Sequence, residues 1–271
     1  MGDDEEPMVL GPEHEISDDE VDGELPHARI VEVDIGTDDE ASKNPRQLYE
    51  LELRPLPRDE RLALAHQLEG PRLLALCFDP EPQVIDALFD NARAGLDHAR
   101  MVARHHATSV GLEMVAKRAQ FLRDPRVQRA LLQNPLVPES VLRRLVGQKP
   151  LRDVYKLSID RELPEKNRVS CRALLRTRFA QAQPEERADL VVSTEGRCLT
   201  LLIGQTFDQR TTTILCSRQY NSSLFIQNLA RFSACPPLLL AHLLKQPFVR
   251  RQPQLRKLLL QHPNTPSQLK K

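Results

Sequence analysis

The sequence predicts an all-α protein, an α-solenoid of short helix pairs preceded by a disordered acidic N-terminal tail. Three observations support this prediction. Prolines divide most of the chain into short helical segments that each carry one apolar face. Similar pairs of segments return about 27 to 30 residues apart, and acidic residues concentrate in the first 40 positions. A period of this length is typical of proteins built from stacked helical repeats.

The clearest repeat unit runs from residue 124 to residue 146. Asp124 is placed to cap a helix that begins at Pro125, where the missing N–H costs nothing, and this helix must end at Asn134-Pro135. A second helix is expected to open at Pro138. The expected apolar positions are Val127, Ala130 and Leu131, then Val141, Leu142, Leu145 and Val146. Because isolated helices shorter than roughly 12–15 residues are marginal in water, each helix must bury its apolar face against neighbours.

Copies of this unit occur on both sides of it. The segment LLLQHPNTPSQL at 258–269 repeats LLQNPLVPESV, and its Thr265-Pro266-Ser267-Gln268 pattern predicts a capping box. Looser copies lie at 229–244, at 75–88 and at 102–116, where Ser109 is the expected cap. We therefore expect several stacked helix pairs.

The central third, residues 157–204, matches the unit poorly. Helical patterns still follow Pro164 and Pro184. Their expected apolar positions are Val169, Ala173 and Leu174, then Ala188, Val191 and Val192. Gly196 is expected to adopt a left-handed conformation in the turn that follows. The stack is predicted to continue through this region.

The Asn134-Pro135-Leu136-Val137-Pro138 and His262-Pro263-Asn264-Thr265-Pro266 turns, each between short leucine-rich helices, resemble those of bacterial leucine-rich repeat variant proteins and, more loosely, of HEAT-like α-solenoids. Leucine-rich repeat variant proteins can carry an iron–sulfur cluster on clustered N-terminal cysteines, and this chain lacks that cluster of cysteines. The resemblance implies a right-handed superhelix with an extended binding surface and implies no reaction.

The chain has a formal net charge of zero, but its charges are divided along its length. Residues 1–40 hold sixteen acidic residues and one basic residue, for a charge of −15, so the remaining 231 residues carry +15. After Asp208 the sequence has ten basic residues and no acidic residue. This division predicts an acidic tail and a basic body.

Composition predicts three segments. Residues 1–46 are expected to form a disordered acidic tail, because they cannot bury enough apolar area to offset the entropy of ordering. Residues 47–58 are expected to form a linker. Residues 59–271 are expected to form the helical repeat domain, which opens with a helix at 59–68. Within the tail, Val31, Val33 and Ile35 alternate with acidic residues. This pattern is either a chance apolar patch or a docking segment, for another protein or for the protein's own basic surface.

Two clusters of basic residues are candidates for partner binding. Arg168, Arg172 and Arg176 recur at i, i+4 and i+8 on one helix face, although such a face is often only the solvated side of a helix. The second cluster has no acidic neighbour in the sequence and consists of Lys245, Arg250, Arg251, Arg256 and Lys257. Because like charges repel, this cluster is expected to meet something negative.

Sequence motifs for catalysis or cofactor binding are missing. The chain has no glycine-rich phosphate loop, HExxH, GxSxG or paired CxxC, so we predict no enzyme activity and no cofactor. His105-His106 falls in the register of an inter-helix turn, which favours a turn over a metal-binding pair. The five cysteines are widely spaced, which indicates a reducing compartment. The apolar runs are too short for transmembrane insertion, and we predict a cytoplasmic protein.

Two functions fit these features. The first is a non-enzymatic protein–protein interaction scaffold, in which a repeat groove binds a partner that is acidic or carries an apolar docking segment, while the tail is autoinhibitory or recruits a second partner. The alternative is a HEAT-like nucleic-acid-binding solenoid whose tail mimics phosphates. Salt dependence distinguishes them, because binding dominated by phosphates weakens steeply as salt rises. The oligomeric state stays open.

Overall fold

A computed structural model describes residues 44–270, and this part of the chain is all-helical with no β-strand. The α-helices are α1 Pro45–Leu48, α2 Arg58–Ala65, α3 Gly70–Ala75, α4 Pro82–Asp90, α5 Leu96–His105, α6 Ser109–Lys117, α7 Ala119–Leu122, α8 Pro125–Gln133, α9 Glu139–Gly147, α10 Leu151–Ile159, α11 Glu165–Gln181, α12 Pro184–Ser193, α13 Gln209–Cys216, α14 Ser223–Arg231, α15 Pro237–Lys245, α16 Pro247–Arg250 and α17 Pro253–Gln261. A π-helix at Tyr49–Leu53 and 3₁₀ helices at Leu76–Phe78, Arg197–Leu201 and Ser267–Leu269 complete the order. The all-α prediction is confirmed, whereas the tail and its candidate docking residues Val31, Val33 and Ile35 lie outside the described residues.

The unit at 124–146 forms as predicted. The Asp124 carboxylate accepts a hydrogen bond of 2.9 Å from Val127 N and so caps α8, which ends at Gln133 before Asn134. Both α8 and α9 are nine residues long, and every apolar position expected on their faces is buried. Neither helix is long enough to be stable alone, so this burial is what holds them.

Helices pack against helices one unit further along the chain, which makes the fold repeat-like. Contacts of this kind join α5 to α8, α4 to α6 and α14 to α17. A buried asparagine ties two successive turns together: Asn134 Nδ2 donates to Ala103 O and His106 O at 3.1 Å, and its Oδ1 accepts from Leu136 N at 2.9 Å. These bonds satisfy backbone groups at the helix ends that would otherwise be buried without partners.

The segment predicted as a linker, residues 47–58, is helical as far as Leu53. Leu48, Tyr49 and Leu53 are buried, and α1 packs against α3. Leucine and tyrosine at this spacing gain more from burial than the nearby prolines and charges cost, so packing overrides the local composition. The folded domain therefore includes this segment, and the helix expected at 59–68 ends early, at Ala65.

Three local predictions are wrong. Thr265–Gln268 is not a capping box, because the buried Thr265 hydroxyl donates to Leu259 O at 2.5 Å and the residues that follow make only one 3₁₀ turn. Helix α6 is capped by Thr108, whose hydroxyl accepts from Gly111 N at 3.2 Å, rather than by Ser109. The buried residues of α11 are Asn167, Cys171, Leu175 and Phe179, whereas Val169 and Ala173 are exposed and Leu174 is half-buried.

Other predictions for the central third are confirmed. Helix α12 begins at Pro184 and buries Ala188 and Val191, while Val192 is half-buried against the core. Gly196 has a φ of +75°, in the left-handed region that glycine adopts readily. A Cβ at this position would lie 2.9 Å from Asn228 Cβ, so the close approach of α14 also requires glycine here.

Candidate binding surface

The arginine face predicted on α11 is partly neutralised by an acid of the same helix. Arg168 and Arg172 both form ion pairs with Glu165, and Arg172 Nε also donates to Ser158 O at 3.1 Å. Arg176 is exposed. Two of the three guanidinium groups are thus engaged within the domain, and the structure does not bring the three together as a free cationic stripe.

Pairing of charges stops towards the C-terminus of the described chain. Among residues 44–270, Arg210 is the last basic residue that pairs with a described carboxylate, that of Glu185 at 3.4 Å. From Arg218 to Lys270, no basic side chain forms an ion pair with a described carboxylate. The absence of acidic residues after Asp208 explains this contrast with the earlier helices, whose arginines bond repeatedly to neighbouring carboxylates.

Four basic residues without a described carboxylate partner line an open cleft of about 390 Å³, the basic cleft. Its lining combines Arg250, Arg256, Lys257 and Lys270 with Pro253, Leu260 and Gln261. Helix α17 faces the core with Leu255 and Leu259, which leaves Arg256 and Lys257 exposed. Lys245 and Arg251 are exposed as well, but they lie outside the lining of the basic cleft.

Three of the five C-terminal candidates therefore come together, and sequence reasoning missed Lys270. Lys270 joins the cleft because the turn after Thr265 is a single 3₁₀ turn, which the predicted capping box did not anticipate. Guanidinium groups bind carboxylates or phosphates through paired N–H donors, while lysine acts as a compact point charge. The side chains of the basic cleft are thus chemically suited to carboxylate or phosphate groups.

A second cleft, of about 280 Å³, lies at the C-terminal end of α14 and is called the α14 cleft. Its main lining residues are Leu199, Thr200, Ile203, Asn228, Arg231 and Phe232. The turn on one side is fixed by Asn228 Nδ2, which donates to Glu195 O at 2.8 Å, and by Ser222 Oγ, which donates to the Glu195 carboxylate at 2.8 Å. Leu199, Ile203 and Phe232 give this cleft its apolar surface, its other polar lining groups are neutral, and Arg231 is its charged lining residue.

Two histidines, His106 and His262, and four of the five cysteines are buried in the domain. His106 is buried, and its Nδ1 accepts from Thr108 N at 3.1 Å, so it serves the turn as predicted. Burial lowers the pKa of His106 and raises the pKa of Cys235 to about 12, which keeps both groups neutral. Among residues 44–270 no group of three or more histidines, cysteines or carboxylates is placed to hold a metal ion.

None of the helices within residues 44–270 is long and apolar enough to cross a membrane. Comparison of the chain with models of protein families, with curated proteins and with solved structures finds no significant match. The resemblance to leucine-rich repeat variant and HEAT-like proteins therefore stays an expectation.

Proposed function

We propose that the protein is a non-enzymatic interaction scaffold that binds an acidic segment of a partner protein at the basic cleft. One observation carries the proposal: Arg250, Arg256, Lys257 and Lys270 line one cleft, and no described carboxylate pairs with them. Bringing four cations together without a counter-charge costs free energy, which an anionic ligand would recover.

Two features favour a protein partner over nucleic acid. Proteins that bind single-stranded nucleic acid stack bases on accessible aromatic rings, and here Tyr220, Phe225 and Phe232 are buried while Phe248 is half-buried. In addition, Pro253 and Leu260 place apolar surface between the cations, which suits peptide side chains better than a sugar–phosphate backbone. Nucleic acid is therefore one of the outcomes that the test must detect.

The test is affinity capture from nuclease-treated lysate of the protein's native cells, followed by identification of the retained proteins. The variant Arg256→Glu/Lys257→Glu reverses two charges of the basic cleft. Its matched control, Arg126→Glu/Arg152→Glu, makes the same change in charge at exposed residues of the first turns of α8 and α10, where an acid is favourable to the helix.

The expected result is an acidic protein retained by the wild type and by the control, and lost from the basic-cleft variant. Capture that occurs only from a parallel lysate without nuclease, or that is equal for both variants, would contradict the proposal. A chain that lacks residues 1–40 tests the tail separately. Stronger capture of the same protein indicates that the tail is autoinhibitory, whereas loss of a different protein indicates that it recruits a second partner.

A further inference from the structure

Ile203 stands out on the surface of the domain. Its side chain is 77% exposed, the highest value for a large aliphatic or aromatic residue among those described. It borders the α14 cleft together with Leu199 and Phe232, which are buried. An isolated exposed aliphatic residue is ordinary, but one at the edge of a cleft with an apolar floor offers a partner more buried area.

Hydrogen bonds connect the turn after α14, which contributes to the α14 cleft, with the turn after α17, a helix that contributes to the basic cleft. Phe232, which lines the α14 cleft, accepts a hydrogen bond of 3.0 Å from His262 Nε2 through its carbonyl oxygen. His262 follows Gln261, which lines the basic cleft. Asn264 Nδ2 also donates to Ser233 O and Cys235 O at 3.0 Å. The C-terminal ends of α14 and α17, each of which contributes to one of the two clefts, are thus neighbours.

The charges around the α14 cleft suit the same acidic ligand. Arg231 lies at its rim and is exposed. The nearby carboxylate of Glu195 is already held by Ser222 Oγ at 2.8 Å and by Arg197 at 3.9 Å. Arg231 therefore borders the apolar floor on the side of α14.

From this arrangement we infer that the α14 cleft is the apolar subsite of the binding surface. The partner segment is an extended acidic peptide that inserts one aliphatic side chain beside Ile203 and Phe232, while its carboxylates lie against Arg256, Lys257 and Lys270. This inference rests on the proposed function, because it describes how the same acidic partner is selected. Charge steers the acidic segment to the surface, and burial of the aliphatic side chain distinguishes this segment from other acidic peptides.

Fluorescence anisotropy with two labelled synthetic peptides tests the inference. One peptide carries a single leucine within a run of aspartates, and the other has serine in place of the leucine. The wild-type full-length protein should bind the leucine peptide about tenfold more tightly, because burial of most of a leucine side chain is worth about that factor. The variant Ile203→Ser should lose this preference and keep its affinity for the serine peptide.

Two further variants complete the design. Val169→Ser removes another exposed aliphatic side chain, on α11, and should leave the preference unchanged. Arg256→Glu/Lys257→Glu should weaken binding of both peptides. A leucine preference that survives in Ile203→Ser, or equal or undetectable binding of both peptides by the wild type, would overturn the inference. If Arg256→Glu/Lys257→Glu binds both peptides as tightly as the wild type does, that result would instead count against the proposed function.

Discussion

Gly111 lies in α6 directly against the ring of His106. A Cβ added at Gly111 would lie 2.0 Å from His106 Cε1, 2.3 Å from Nδ1 and 2.4 Å from Nε2. The ring is buried and held by Thr108 N, so it cannot swing into solvent without breaking the turn. The substitution Gly111→Ala should therefore destabilise the domain, even though alanine normally favours a helix.

The magnitude follows from three contributions. Overpacking typically costs about 1–3 kcal/mol. Loss of the hydrogen bond from Thr108 N adds about 1 kcal/mol. The better helix propensity of alanine returns about 1 kcal/mol. The net expectation is a decrease of about 1–3 kcal/mol in the free energy of unfolding, measured by urea denaturation followed by circular dichroism.

Gly147→Ala is the matched control, because a Cβ at that exposed end of α9 would meet no described atom within 4 Å. This variant should be neutral or slightly stabilising. The double variant His106→Asn/Gly111→Ala should recover most of the loss, since Asn134 occupies the corresponding turn position one unit later. If Gly111→Ala is as stable as Gly147→Ala, the account of this turn is refuted.

Three further outcomes are expected. Asn134→Ala should lower the free energy of unfolding by about 2–3 kcal/mol in urea denaturation, because buried carbonyl and N–H groups lose their partner; a change below 0.5 kcal/mol, on the order of a neutral surface substitution, would contradict this role. Burial lowers the pKa of His106 below its ordinary 6.5, so the unfolded chain binds more protons and stability should fall as pH drops below 6.5; His106→Asn should flatten that dependence, and an unchanged pH profile would refute it. Burial raises the pKa of Cys235 to about 12, so a thiol reagent should label Cys235 in the folded protein more slowly than the half-buried Cys216, and readily only after denaturant is added. Equal labelling rates of the two cysteines in the folded protein would contradict this.

Local chemistry in the sequence was sufficient to predict the unit at 124–146. Asp124, Pro125 and Asn134 act through their nearest neighbours, so their roles can be read without knowledge of the fold. In contrast, the face of α11 could not be derived, because neighbouring helices select Leu175 and Phe179 over Val169 from several apolar residues. The same holds for Tyr49, whose burial depends on packing between α1 and α3 that local composition does not reveal.

The candidate surface was predicted in part. The lack of acidic residues after Asp208 is visible in the sequence and indicated the C-terminal cations. The pairing of Arg168 and Arg172 with Glu165 could also be predicted from the sequence, since the spacings of three and seven residues bring these side chains to one helix face. The α14 cleft could not be predicted from the sequence, because it depends on contact between the turn at Gly196 and a helix about 30 residues later.

Hydrogen exchange followed by mass spectrometry tests the central claim most directly. On addition of the leucine-containing acidic peptide, amides of α16 and α17 should exchange more slowly, together with those at the C-terminal end of α14, while α8 to α11 stay unchanged. Slower exchange centred on Arg168 and Arg176 of α11, or no change at α17, would contradict the assignment of the binding surface.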